Sequence, residues 1–299
     1  MLESRALLSC LAVQKLRSDS GKLIASGMLP ALAMLGLLMA SRPAAAQEAV
    51  PSSQTLRNVA GIVAHRNGRP VPVGTAFFVA VPSYAYQGQS FVYLVTAHHN
   101  LLDSEGHEAK GLALTVEDKR TGAMREEPLP PENRWVLDPK AESADIAAVP
   151  LNPATANIAP IPLESLMGVD IGGRTLAETG AQAYYLMAAS VGRSRPRFEA
   201  LARFGRVSVA MPAESEVPGA GVQQLCFLDG GSSPGFSSGA PVFAQEGLRF
   251  VLWGILEAVT GESSNPMFSG LAGVLPSNYV AETVRAMAAV QEKALRREP

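Results

Sequence analysis

From residue 47 to residue 276 the sequence holds no sustained helical period, only short apolar runs separated by turn formers. Runs over 59–65, 71–81, 91–97, 112–116, 124–127 and 146–151 read as six strands. Asn67-Gly68-Arg69-Pro70 is the turn between the first two, and 112–116 forms a hairpin with 124–127. A linker over 152–168 follows, in which Pro153, Pro160 and Pro162 limit helix formation. A second group of runs covers 181–188, 207–211, 223–228, 242–243, 250–258 and 271–275, with 191–196 as a charged loop. Lone strands leave backbone donors and acceptors unpaired, so runs this short and frequent must pair with one another. Two groups divided by one linker imply an all-β chain of two antiparallel barrels or sandwiches. Only beyond Pro276 does the pattern change: Val280, Val284 and Met287 fall on one face of a helix, with Ser277 as its expected N-cap.

Three stretches carry chemistry. Residues 234–243 read Pro-Gly-Phe-Ser-Ser-Gly-Ala-Pro-Val-Phe, a serine pair among small residues and turn formers that passes straight into an apolar strand. Glycine there lets the backbone adopt positive φ and approach another group closely. A nucleophilic hydroxyl flanked by converging backbone N–H groups requires both. Leu94-Val95-Thr96-Ala97-His98-His99 is an apolar strand that ends in a histidine pair, and Ser143-Ala144-Asp145-Ile146-Ala147-Ala148-Val149 places an aspartate at the entry of another. An imidazole, with an ordinary pKa of about 6.5, takes and returns a proton near neutral pH.

In the order His, Asp, Ser these stretches resemble the chymotrypsin/trypsin-like serine proteases, and within them the disulfide-poor bacterial branch. That family carries Val-Thr-Ala-x-His, an Asp-Ile-Ala-type strand start and Gly-x-Ser-Gly-Gly-Pro. The resemblance spans residues 56–280. It implies two six-stranded antiparallel β-barrels with a C-terminal helix, the first over 58–151 and the second over 169–299. It implies His99 as general base, Asp145 as the acceptor that holds its tautomer, and Ser238 as nucleophile, with no metal and no cofactor. His98 is then a neighbour, His65 and His107 ordinary surface or strand histidines, and Asp103 and Asp138 weaker candidates for the carboxylate. The family's glycine two before the serine is Phe236 here; counted from Gly235 instead, Ser237 becomes the nucleophile. The oxyanion hole would use the N–H groups of Phe236 and Ser238, and a phenylalanine cannot adopt every conformation open to glycine. The run Phe250-Val251-Leu252-Trp253-Gly254-Ile255 resembles the family's substrate-binding strand, so Trp253 and Gly254 are expected to contact substrate, with Ser232 at the base of the primary pocket. The end of the strand region, Val274-Leu275-Pro276-Ser277-Asn278, resembles that of an HtrA-type protease domain, here expected without a PDZ-type domain.

The first 46 residues differ from the rest. Arg5, Lys15, Arg17 and Lys22 precede an uncharged apolar stretch over 23–41, and Pro43-Ala44-Ala45-Ala46 offers small residues for cleavage. This reads as a secretory signal over 1–46, with an uncleaved anchor as the alternative, followed by a flexible leader over 47–57. The expected location is periplasmic or extracellular. Removing 1–46 removes five basic and two acidic residues and takes the formal charge from −2 to −5. That mild acidity gives no reason to propose nucleic acid or an anionic membrane as partner, and the expected partner is a peptide or protein substrate. The mature part keeps one cysteine, Cys226, so no internal disulfide is expected and the thiol reads as a small buried hydrophobe. The functional expectation is an exported serine endopeptidase. Its alternatives are a catalytically weak or inactive peptide-binding module on the same scaffold, and an esterase or transferase with the same triad.

Overall fold

A computed structural model describes residues 51–66, 68–131, 134–137, 144–151, 153–166, 177–191, 197–217, 220–230, 235–259 and 270–296. The expected signal segment and Ser232 lie outside these residues, as do Asp138 and most of the charged loop over 191–196. The first group of strands comprises β1 (Val59–Arg66), β2 (Arg69–Pro82), β3 (Ser90–Thr96), β4 (Leu112–Glu117), β5 (Met124–Pro128), β6 (Val136–Leu137), β7 (Ala147–Pro150) and β8 (Ile161–Pro162). They form one sheet in the order β5-β4-β1-β2-β3-β7-β6, antiparallel throughout, with β8 added parallel to β2. The second group comprises β9 (Gln182–Val191), β10 (Arg197–Val217), β11 (Gly221–Asp229), β12 (Pro241–Glu246), β13 (Arg249–Val259) and β14 (Ala272–Pro276). These close into a six-stranded barrel, β10-β11-β14-β13-β12-β9. The chain is therefore two antiparallel β-systems followed by one helix, α1 (Ser277–Leu295).

Strands alternate their side chains between two faces, and here both faces are buried. In β2, Ala76 and Phe78 join a core made by the first sheet, while Phe77 and Val79 join a central core shared with the second barrel. β3 divides in the same way, with Leu94 on one side and Tyr93 and Val95 on the other. In the barrel, Tyr185, Cys226, Val242 and Trp253 build a third core, while Leu186, Phe227, Phe243 and Leu252 face the central one. Two buried faces explain why the strands read as nearly continuous apolar runs. The central core is completed by Val280, Ala281, Val284, Met287 and Ala288 of α1, the predicted stripe with its neighbours. Cys226 is buried in the third core as expected; its thiol donates to the Ala210 carbonyl at 3.1 Å, and burial pushes it up to about 12.

Five expectations differ in the structure. Among the described residues the first system has eight strands rather than six, enlarged by the two-residue strands β6 and β8. The expected linker supplies one of these, because Ile161 pairs with Val79 and buries itself in the central core. The leader is ordered from Pro51 on, with a 3-10 turn at Thr55–Asn58 and Leu56 packed against the same core. Ser277 takes the first helical position and Pro276 the cap, a shift of one residue that local signals rarely resolve. β10 is also far longer than the expected 207–211. Its first half, Arg197 to Arg206, is rich in charge, yet it pairs residue for residue with β9 over Gln182–Val191.

The central core predicts a sharp contrast between two leucines of the β12–β13 hairpin. Leu252, fully buried, should cost about 2–5 kcal/mol when changed to alanine. Leu248, fully exposed on the turn, should change stability by no more than about 0.5 kcal/mol. Urea denaturation of the two variants checks this.

Candidate active site

β3 ends at Thr96, and a 3-10 turn over His98–Leu101 follows at once, closed by hydrogen bonds from Asn100 N–H to the Ala97 carbonyl and from Leu102 N–H to the His99 carbonyl. The turn aims His99 away from the strand. Asp145 lies just ahead of β7, which pairs with β3. Its main chain is fixed on both sides: its carbonyl accepts His98 N–H at 3.3 Å, and its N–H donates to Gln223 Oε1 of β11 at 3.1 Å. Both carboxylate oxygens then go to one residue. Oδ1 accepts the His99 backbone N–H at 2.9 Å, and Oδ2 meets the ring nitrogen Nδ1.

Ser238 follows a 3-10 turn at Gly235–Ser237. Its carbonyl oxygen accepts two hydrogen bonds from the first sheet system, from Thr75 N–H at 2.9 Å and from Asn100 Nδ2 at 2.9 Å. The Thr75 hydroxyl donates to the Phe236 carbonyl at 3.0 Å and accepts Ala188 N–H at 3.2 Å. Gly239 is required for this closeness. It has φ +83°, and a Cβ on it would stand 2.2 Å from the Thr75 carbonyl oxygen. Gly74 serves the other side, since a Cβ there would lie 2.3 Å from the Asn100 side-chain amide. So held, Ser238 Oγ lies 2.8 Å from His99 Nε2. The structure thus brings His99, Asp145 and Ser238 into one hydrogen-bonded chain, and the hydroxyl that meets the imidazole is that of Ser238.

The chain is graded in exposure: the His99 side chain is 25 % exposed and that of Asp145 3 %. Burial pushes the Asp145 carboxyl up, but the hydrogen bond and charge of His99 outweigh it and hold it at about 2. Glu257 of β13 lies behind the pair, fully buried, with Oε2 3.9 Å from His99 Nδ1. Burial, and then the Asp145 charge, push its carboxyl well above the usual range. His99, Asp145 and Glu257 are the one group of metal-type donors among the described residues, with ligand atoms within 4.8 Å of one another. Two of the three are already bonded to each other through His99 Nδ1.

The structure places Trp253 and Gly254, expected at the substrate strand, inside the barrel. Trp253 is fully buried in the third core, and Gly254 is paired on both edges, to Val242 of β12 and Pro276 of β14. β12 begins at Pro241, opposite Ile255, so β13 loses that neighbour only farther on, beyond the bonds that Leu256 makes to Gly239 and Ala240. Phe236 sits on the turn before Ser238, half-buried against the third core. The other candidates lie apart. His65 pairs with Glu126 at 3.1 Å, exposed His107 lies 3.6 Å from Glu105, and Asp103 caps a surface turn by accepting the N–H groups of Glu105 and His107. Thr75, Asn100, Gln223 and Glu257 were not foreseen. Glu257 had a readable signal, a lone acid inside the apolar run from Val251 to Val259.

No protein-family model matches the sequence, and no curated protein matches it. Among solved structures the chain is similar to neuropsin, a serine protease expressed in the limbic system of mouse brain, at 13 % identity and a TM-score of 0.47, over 80 % of this chain and 97 % of that one. That likeness adds no residue and no activity to the geometry above.

Two predictions follow from the joint and the charge. Gly239→Ala must place an L-residue at positive φ against a carbonyl, so it should lose at least about 1 kcal/mol in urea denaturation. Asp145 titrates at about 2 when folded and near about 3.9 when unfolded. Its ionised form therefore contributes stability above about pH 3.9, lost as pH falls through about 2. Asp145→Asn should flatten the decline of unfolding free energy across that window, measured by urea denaturation over a pH series.

Proposed function

We propose that this chain is an exported serine endopeptidase. The observation that carries the reading is the single relay in which Asp145 Oδ2 meets His99 Nδ1 and His99 Nε2 meets Ser238 Oγ at 2.8 Å. Asp145 holds the imidazole with its proton on Nδ1, leaving the Nε2 lone pair directed at the serine hydroxyl. Ser238 Oγ attacks the scissile carbonyl carbon while its proton passes to His99 Nε2. That proton then goes to the leaving nitrogen as the C–N bond breaks, leaving an ester on Ser238. Water attacks the ester, gives one proton to His99 Nε2, and that proton returns to Ser238 Oγ as the carboxylic acid product leaves and loses its remaining proton to solvent.

The developing oxyanion takes the N–H groups of Phe236 and Ser238 as donors. One such donor is worth a factor of about 10²–10³ in rate. The edge that receives the peptide is the end of β13 from Glu257 to Val259, where β12 has run out and β14 still pairs on the far side through Val259 and Ala272. An extended chain adds there through main-chain hydrogen bonds. Ser232 belongs to the primary pocket in this reading. Export rests on the basic lead, apolar stretch and small residues of 1–46, and among the described residues no helix is long and apolar enough to cross a membrane. With Cys10 in the expected signal, the mature sequence holds one cysteine, which within the family favours the bacterial branch.

A second reading, a peptide-binding module without turnover, is favoured by one observation: Phe236 replaces the family's glycine and its side chain packs half-buried against the barrel. One experiment separates the two. A fluorophosphonate should label the mature protein at Ser238, with labelling and casein cleavage both lost in Ser238→Ala. Peptide binding that survives Ser238→Ala, with no labelling of folded wild type, selects the binding module.

A further inference from the structure

Glu257 has no role in the relay, yet it is the most deeply buried acid beside it. Both of its carboxyl oxygens are sealed from solvent. Taken as a carboxylate, it finds no hydrogen-bond donor for either oxygen among the described residues. His99 Nδ1 is 3.9 Å away and already committed to Asp145. An ionised carboxylate buried without a donor or counter-charge costs several kcal/mol. Taken as a neutral acid, it has an acceptor: the Asp145 carboxylate, which still has lone pairs free after two hydrogen bonds from His99.

We infer that Glu257 is held as a neutral carboxylic acid whose O–H donates to the Asp145 carboxylate, making it a positioning residue behind the His99–Asp145 pair. The inference rests on the hydrolase reading for its purpose but not for its chemistry. Two carboxyl groups this close cannot both ionise, and the proton goes to the one with no other donor. Among the described residues, the titratable groups that face Glu257 are Asp145, from the segment ahead of β7, and His99, from the turn after β3. The flanking segments 241–244 of β12 and 272–276 of β14 carry no titratable side chain. Val280, Ala281 and Val284, on the buried face of α1, carry none either. Burial and the Asp145 charge both push Glu257 toward its neutral form.

The arrangement has two effects. A third donor on Asp145 stops its carboxylate from rotating and so fixes the plane of the imidazole. Neutrality keeps the local charge at one carboxylate; a second negative charge beside His99 would favour the doubly protonated ring, which has no lone pair for the Ser238 proton.

The test uses the whole mature chain and the Glu257→Gln and Glu257→Met variants. The infrared spectrum of wild type at neutral pH should contain a protonated-carboxyl carbonyl band that both variants lack. Carbon-13 glutamate in wild type should shift the band, which keeps the test open where a variant fails to fold. Absence of any such band overturns the inference. Fluorophosphonate labelling reads the positioning role. Glutamine keeps a donor for Asp145 and methionine keeps only the volume, so Glu257→Gln should label at least about 10-fold faster than Glu257→Met. Equal rates refute positioning. Wild type that shows the band but takes no label leaves Glu257 a neutral acid and defeats the hydrolase reading instead.

Discussion

The Ser238 carbonyl oxygen is where the two β-systems are joined. It belongs to the loop between β11 and β12, yet it accepts one hydrogen bond from the backbone of β2 and one from the Asn100 amide. Each bond is worth about 1 kcal/mol net, but a buried carbonyl stripped of its donors costs about 1–3 kcal/mol, so the joint is more expensive to break than its parts suggest. Everything reactive depends on it. His99 stands one residue before Asn100, and Ser238 carries both the carbonyl that is held and the hydroxyl that reacts. A hydroxyl and an imidazole 139 positions apart meet at 2.8 Å because the backbone of one and the neighbour of the other are tied together.

Packing and polarity divide the work. The central core, shared by β2, β3, the barrel and α1, sets the approximate pose of the two systems through non-directional burial. The directional terms then select one pose. Thr75 bridges Phe236 and Ala188, and Gln223 reaches from the barrel to the Asp145 backbone. Glycine at 239 removes the Cβ that would hold the systems apart, and glycine at 74 leaves room for the Asn100 side chain that reaches across. Electrostatics completes the arrangement. Asp145 stays charged because its donors outweigh its burial, whereas Glu257, without donors, is pushed the other way.

Legibility followed the range of the interactions. His99, Asp145 and Ser238 stood out because each sits in a short run whose local pattern, a strand end or a glycine-rich turn, is written in adjacent residues. Most strands were legible for the same reason. Thr75, Asn100 and Gln223 are neutral polar residues whose partners lie in other strands, and nothing adjacent marks them. The early half of β10 was hidden because charges such as Glu199 and Arg203 dilute its apolar content, while the long ladder to β9 decides its conformation. The burial of Trp253 and the two-sided pairing of Gly254 were not legible because the edge of β13 depends on where β12 starts, a matter of register between two strands. The first system's two extra strands are likewise a property of pairing, with β6 and β8 too short to signal themselves in sequence.

The central claim is that His99 is pinned by Asp145 on one side while facing Ser238 on the other. Nitrogen-15 histidine labelling of the folded mature chain, read by proton NMR, tests it most directly. The account predicts a strongly downfield, slowly exchanging Nδ1–H resonance from His99 that disappears in Asp145→Asn. A spectrum without such a resonance, or one that Asp145→Asn leaves unchanged, would contradict it.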